Sequence, residues 1–336
     1  MQARRHAPWS CVQRAADDDG PPRVVRLTPP HAKAATQFHL PPRPRTPLAS
    51  VSTLPSLTLL SQSVLSGIFI GSLYGLIGLG LGLSWGLLRL INLAHFAFAF
   101  LAAYLCYQLS TVGGIDPLLS LALLVPAFFL LGAGLQALMA RFALTPLNSL
   151  LLTFGLTGIV EALIQTLWTA DFRRLESTYA HQKFRIGPLF VPVPELVTLV
   201  LAVSLSLAVY AVLRYTDFGK ALRAAAQDAP VAAAFGINQR VHGIVLAGTC
   251  SALAAVAGVC LALTFTLAPS QIYAWIGVVF AAVMLGGLGS ALGPLVAGVI
   301  IGVSEAVTMV VTAPSWAPIV SFSLLIVILL VRPGKA

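Results

Sequence analysis

The run GIFIGSLYGLIGLGLGLSWG, Gly67 to Gly86, carries no charged side chain and lies in a longer apolar segment that we place as a membrane span at about 62–86. About 20 predominantly apolar residues suffice for a helix to cross the hydrocarbon core. Within the run, Gly67, Gly71 and Gly75 repeat every four residues on one helical face, and Gly78, Gly82 and Gly86 form a second row. Small residues at this spacing let another helix backbone approach closely, so they predict tight packing inside a bundle. Gly298 and Gly302 repeat the pattern later.

Composition extends that reading to the whole chain. Of 336 residues, 58% are hydrophobic and 9% charged, against about 25% charged in a soluble domain. The expected fold class is all-α, a polytopic integral membrane protein. Further spans fall at about 93–109, 117–138, 148–168, 194–213, 241–262 and 315–331, with one or two more in 274–312, for a total of eight or nine. GGLGSALGP, Gly286 to Pro294, interrupts the last region and predicts a broken or re-entrant helix pair. Such breaks persist at membrane depth only where protein or a water-filled cavity surrounds them.

Charge is placed unevenly. Residues 1–50 hold eight of the twenty Lys/Arg, three of the eleven Asp/Glu and nine prolines. We read 1–55 as a disordered or over-extended tail and 56–336 as the transmembrane domain. Arg89, Arg141, the Arg214–Arg240 region and Arg332/Lys335 fall on one side if there are nine spans, which makes that side and the C-terminus cytoplasmic. The opposing Thr169–Val193 loop carries Arg173, Arg174, Lys183 and Arg185 against Asp171 and Glu176. Basic residues split this way reflect topology rather than a nucleic-acid partner. Cys106, Cys250 and Cys260 sit in apolar stretches without C-x-x-C spacing, as does Cys11 in the tail, and form neither a disulfide framework nor a metal site.

TDFGKALRAAAQDAPVAAAFGIN, Thr216 to Asn238, is the one long polar interruption in the back half of the chain. Phe218, Ala221, Leu222 and Ala225 form an apolar stripe with Lys220, Arg223 and Gln227 off it, which predicts an amphipathic helix. Pro230 belongs in a first helical turn, so Asp228 or Ala229 caps a second short helix with Val231, Ala234 and Phe235 on one side and Gly236 as its stop. No phosphate-binding loop occurs: the Gly-Lys pairs at 219–220 and 334–335 are each followed by Ala and lack the upstream glycine. No catalytic residue set and no cofactor are expected, so an enzyme is disfavoured.

Glu161 and Glu305 fall well within predicted spans, where a charge costs about 2.5–3.5 kcal/mol on insertion scales. They are either part of a solute path or proton relay, or hydrogen-bonded packing residues. Asn92 and His95 stand where the second span begins, as a helix-end hydrogen-bonding pair or as lining of the pathway.

Five segments together resemble the permease family of bacterial branched-chain amino-acid ABC importers, the LivH type, which includes urea-importer permeases. They are Gly71–His95, Leu150–Trp168, Thr216–Asn238, Ala281–Ala306 and Ser321–Ala336. The resemblance implies a permease subunit in the bacterial inner membrane, paired with a second, related permease as a heterodimer. It also implies two cytoplasmic ATP-binding subunits and an extracytoplasmic solute-binding protein. The 216–238 block would be the cytoplasmic coupling loop, with its apolar stripe docked in a groove of the ATPase, and Gly219, Arg223, Asp228 and Gly236 match the family's loop pattern. Two departures bear on the solute: Phe96 and Ala97 follow His95 where the family commonly has a glycine and an acid, and Glu161 stands where it often has Gln. A branched-chain or related amino acid is the leading solute, with Glu161 available to its ammonium group. The alternatives are a urea, amide or other small polar solute, or a proton-coupled secondary transporter using Glu161 and Glu305.

Overall fold

The computed structural model describes residues 57–331, apart from 143–144, 177–178, 180–181 and 313–315. The expected tail, 1–55, and Arg332/Lys335 lie outside the described residues. The elements are α1 (Leu57–Leu88), α2 (Ala94–Thr111), α3 (Leu121–Arg141), α4 (Pro146–Trp168), β1 (Lys183–Ile186), β2 (Leu189–Pro192), α5 (Val193–Tyr215), α6 (Asp217–Gln227), α7 (Ala229–Ala234), α8 (Gln239–Thr264), α9 (Ile272–Gly286), α10 (Gly293–Val311) and α11 (Ala317–Val331). Among the described residues, seven helical segments are long and apolar enough to cross a membrane: α1, α3, α4, α5, α8, α9 with its preceding turn, and α10. α2 and α11 are apolar but fall outside that set, so the total of eight or nine spans is not confirmed. The chain is an all-α, multi-pass membrane protein.

Two helices form its axis. Of the apolar windows of α1 and α8, 72% and 78% are buried, against 17–22% for α3, α4 and α5, so the first two are the centre and the others the rim. Leu76, Leu79 and Leu81 of α1, Phe96, Phe98 and Tyr104 of α2 and Val259 of α8 are almost fully covered. Rim helices instead bury a narrow stripe: on α4 it is Ser149, Thr153, Thr157, Val160, Ile164 and Trp168, repeating every three or four residues.

The first glycine row explains why α1 packs most extensively on α10. A Cβ on Gly67 would stand 2.6 Å from the Val303 Cα, one on Gly71 2.5 Å from the Gly298 carbonyl oxygen, and one on Gly75 2.6 Å from the Leu295 Cα. α10 returns the fit, since a Cβ on Gly298 would be 2.5 Å from the Gly71 carbonyl oxygen. The two backbones therefore touch along an antiparallel seam that no side chain could enter. In the second row, Gly78 and Gly82 meet Val283 and Pro294 at looser contact, and Gly86 abuts the Gly289 backbone.

The expected break lies between α9 and α10. Gly287 and Gly289 turn the chain with φ of +87° and +75°, a region other residues enter only under strain. The freed polar groups find partners: the Gly289 N–H donates to the Gly82 carbonyl at 3.1 Å, and the Gly293 N–H to Ser290 Oγ at 3.0 Å. α9 then runs parallel to α1, with Trp275 on Tyr74 and Val283 beside Gly78 and Gly82, while α10 runs back. One element was not legible as such: part of the 169–193 loop is an antiparallel hairpin, Lys183↔Pro192 to Ile186↔Leu189, turning at Gly187 with φ +63°. Gln62 holds it to α1, donating to and accepting from the Phe190 backbone at 2.9 Å each.

Gly71→Ala should lower thermal stability by about 1–3 kcal/mol, because the added methyl meets backbone that cannot rotate away. Gly155→Ala on α4, where nothing lies within 4 Å of the added carbon, should be neutral or mildly stabilising. Melting of the two purified variants in one detergent compares them.

Candidate functional site

Sequence-selected residues gather at two ends of the bundle. At the first, Thr216 caps α6 by accepting the Gly219 N–H at 3.2 Å, and Gly219 lets α6 turn tightly off α5, since its Cβ would stand 2.5 Å from the Val212 carbonyl oxygen. Asp228, rather than Ala229, caps α7 through Oδ1 and the Val231 N–H at 3.1 Å. Gly236 follows with φ +84° in open space, and Asn238 caps α8. Three oxygen-bearing side chains therefore start three successive helices. The Lys220 ammonium, 2.9 Å from Asp217, holds that exposed carboxyl below its usual range. The Arg89 guanidinium clamps the block from α1's end, donating to the Ala226 carbonyl at 2.8 Å.

The apolar stripe of α6 faces the other way from the expectation. Leu222 is 3% exposed and packs with Leu79, Leu83, Leu213, Leu246 and Leu253, while Phe218 stacks on His242 at 5.3 Å. An amphipathic helix buries its apolar face on the nearest apolar surface, which here is its own bundle. The stripe is thus unavailable to a partner's groove. The outer face carries Lys220, Arg223 and Ala224, continued on α7 by Val231 and by Phe235 just after it, the latter 84% exposed. On α7, Val231 and Ala234, with Phe235 just after it, are exposed, and Ala232 is the buried residue.

At the opposite end, a cavity of about 260 Å³ lies between α1, α5, α10 and the end of α8. Phe69, Ile70, Leu73, Phe265 and Met309 give it apolar walls, and Glu195 and Glu305 both line it. Glu305 is 5% exposed; Tyr74 donates its hydroxyl to Oε2 at 3.0 Å and Ser321 to Oε1. Both carboxylate oxygens are thereby fixed by neutral donors. Glu195 sits in the first turn of α5, where a carboxylate is favoured by the helix dipole. That routine placement, at the very edge of the predicted 194–213 span, is why the sequence did not single it out.

The other expected path residues lie elsewhere. His95 is a wedge between α1 and α2: it is 2% exposed, its Nε2 lies 3.0 Å from the Ile77 carbonyl, and its ring fills the space a side chain on Gly80 would need. Asn92, in the α1–α2 link, keeps a buried Oδ1 with no hydrogen-bond partner among the described residues. Glu161 accepts from Gln165 at 3.1 Å on α4 and lies beside the Tyr273 hydroxyl. Glu161 is engaged by Gln165 and Tyr273 and Glu305 by Tyr74 and Ser321, and neither His95 nor Asn92 is among the described residues lining the carboxylate cavity.

Tyr74→Phe should destabilise the protein by about 1–3 kcal/mol, since it deprives a buried carboxylate oxygen of its donor. Gln165→Leu, which removes the Glu161 contact at the exposed rim, should cost under about 0.5 kcal/mol. Thermal melting distinguishes them.

The chain was compared with known proteins. Residues 63–329 match the family described as branched-chain amino acid transport system / permease component. Over 81% of its length the chain is 29% identical to the high-affinity branched-chain amino acid transport system permease protein LivH of Salmonella typhimurium, covering 93% of that protein. The corresponding figures are 30% identity and 91% coverage for the probable permease LivH of Methanocaldococcus jannaschii, and 25% and 94% for the permease BraD of Pseudomonas aeruginosa, again over 81% of this chain. No solved structure matches.

Proposed function

This chain belongs to the family of permease components of branched-chain amino acid transport systems, and from that premise we propose that it is the membrane-spanning subunit of an ATP-driven importer of branched-chain amino acids. The observation that carries this reading is the family match across 63–329, which takes in both the α6–α7 block and the carboxylate cavity. The drive comes from two cytoplasmic ATP-binding subunits. A second, related permease completes the pore, and an extracytoplasmic binding protein delivers the solute to the bilayer-embedded pair.

Orientation rests on the basic end. Arg89, Arg240 and the α6 residues meet around one groove, with Ala140, next to Arg141, on its rim. Lys/Arg-rich short loops face the cytoplasm. α11 runs alongside α9, with Phe322 against Gly277, so the chain heads back to that end and its C-terminus is cytoplasmic. Docking to the ATPase uses the outward face of α6–α7, with Arg223 as charge and Val231 and Phe235 as apolar anchors. Gly219, Asp228 and Gly236 shape this face by fixing the helix starts and stop.

The solute's ammonium meets Glu195 and Glu305, and its aliphatic side chain the apolar walls around them. Glu161, engaged with Gln165 and Tyr273 on the rim, is left out of that contact. The separate described partners of Glu161 and Glu305 favour this reading over a proton relay, and the apolar walls of the cavity suit an aliphatic side chain better than a urea or amide.

Reconstituted with the two ATPases, partner permease and binding protein, the wild type should accumulate labelled leucine only when ATP is supplied; uptake driven by a proton gradient without ATP would refute the proposal. Arg223→Glu or Phe235→Asp should abolish ATPase co-purification while leaving the permease folded. Glu195→Gln should reduce uptake by about 10- to 100-fold, the loss expected for a charge-assisted hydrogen bond, and Glu161→Gln should not.

A further inference from the structure

A second concave site lies at the basic end, behind α6 rather than on its outward face. It is a groove of about 370 Å³ between the ends of α1 and α3, the inner side of α6 and the start of α8. Arg89, Arg240, His242, Gln136, Gln227 and Gln239 supply its polar lining. No carboxylate is among its described lining residues; Asp228, next to it in sequence, spends Oδ1 on the Val231 N–H. Lys220 and Arg223, on the coupling face, do not line it.

The donors here exceed their partners. Arg89 uses one N–H on the Ala226 carbonyl, and a guanidinium has five. The Arg240 side chain is exposed and makes no hydrogen bond or ion pair among the described residues. His242 commits Nδ1 to the Asn238 carbonyl at 2.8 Å, so it adds a second donor only when its ring is protonated. The two arginines therefore define the site, and their planar forks suit a phosphate's oxygens.

Position decides which phosphate. Ala140 of α3 lies on the groove's rim, flanked in sequence by Leu138 and Phe142, which are 49% and 65% exposed. An apolar flank beside a basic cleft at a membrane-facing helix end accommodates acyl chains next to a headgroup, and basic pockets between spans on this side bind anionic lipid. We propose that this groove holds the phosphate of an anionic phospholipid, whose headgroup ties the ends of α1 and α8 to the back of α6. The proposal is independent of the solute carried.

The test uses the full chain, purified into nanodiscs of phosphatidylcholine alone or with phosphatidylglycerol. Phosphatidylglycerol should raise the melting temperature by roughly 2–4 °C for each arginine engaged. Arg240→Gln should remove about half the shift, and Arg240→Lys, which keeps the charge without the fork, should remove less than Arg240→Gln. Arg141→Gln, a loss of the same charge at the same end but outside the groove, should leave the shift intact. Equal losses for Arg240→Gln and Arg141→Gln would mean general surface attraction and overturn the site. Millimolar inorganic phosphate in phosphatidylcholine should have no effect; if it reproduced the shift, the groove would be a free-anion site and the lipid assignment would fall.

Discussion

The contact on which the rest depends is the one between two bare backbones, α1 and α10, along Gly67, Gly71, Gly75, Gly298 and Gly302. Helix association inside a bilayer gains little from hydrophobic burial, because lipid is as apolar as the partner helix, and relies on close van der Waals approach. The seam supplies that approach and also sets register. Glu305 lies about one helical turn past Gly302, and the long Tyr74 side chain, beside Gly75 on the facing helix, reaches it with its hydroxyl. The α9–α10 turn is fixed at the seam's other end by the Gly82 carbonyl. The Tyr74 contact to Glu305 and the anchoring of the break to α1 thus lie along one glycine-lined helix pair, while Ser321 of α11 and Ser290 of the turn complete the remaining contacts.

The two ends of the bundle solve opposite problems. At the basic end, a helix with one apolar face turns it inward and leaves a charged face with two exposed apolar residues beyond it. That arrangement lets a short polar block be rigidly continuous with the membrane helices and still present a surface to another protein. At the far end, two acidic groups line an apolar cavity, Glu305 held by the Tyr74 and Ser321 hydroxyls and Glu195 by its place at a helix start.

Much of this was legible in the sequence. The glycine rows, the cap at Asp228 or Ala229 and the break after Gly286 each rest on local chemistry that a short window contains. The helix extents follow the apolar runs to within a few residues. What was not legible depended on three-dimensional neighbours. The direction of the Leu222 stripe required knowing that Leu79, Leu83 and Leu246 lie beside it. Glu195 carried no signal because an acid in a first helical turn is ordinary, and only the cavity links it to Glu305. His95 read as a helix-end hydrogen-bonding residue or as lining, and its place as a wedge was not legible, since nothing in its own segment shows that Gly80 of the preceding helix leaves a hole of its size. The hairpin at 183–192 was missed because four-residue strands lack a periodic pattern.

The glycine seam also has a mechanical meaning. Notches spaced four residues apart repeat every 6 Å or so along a helix axis, and between them the flanking side chains of α1 and α10 would collide. The pair therefore cannot creep; it moves as one body or by a whole notch, as other packed helices shift between discrete seatings. With α1 about 48 Å long at 1.5 Å per residue, the coupled helices act as a stiff pushrod. The same helix that ends beside Arg89 thus runs on past the Tyr74–Glu305 contact without a break.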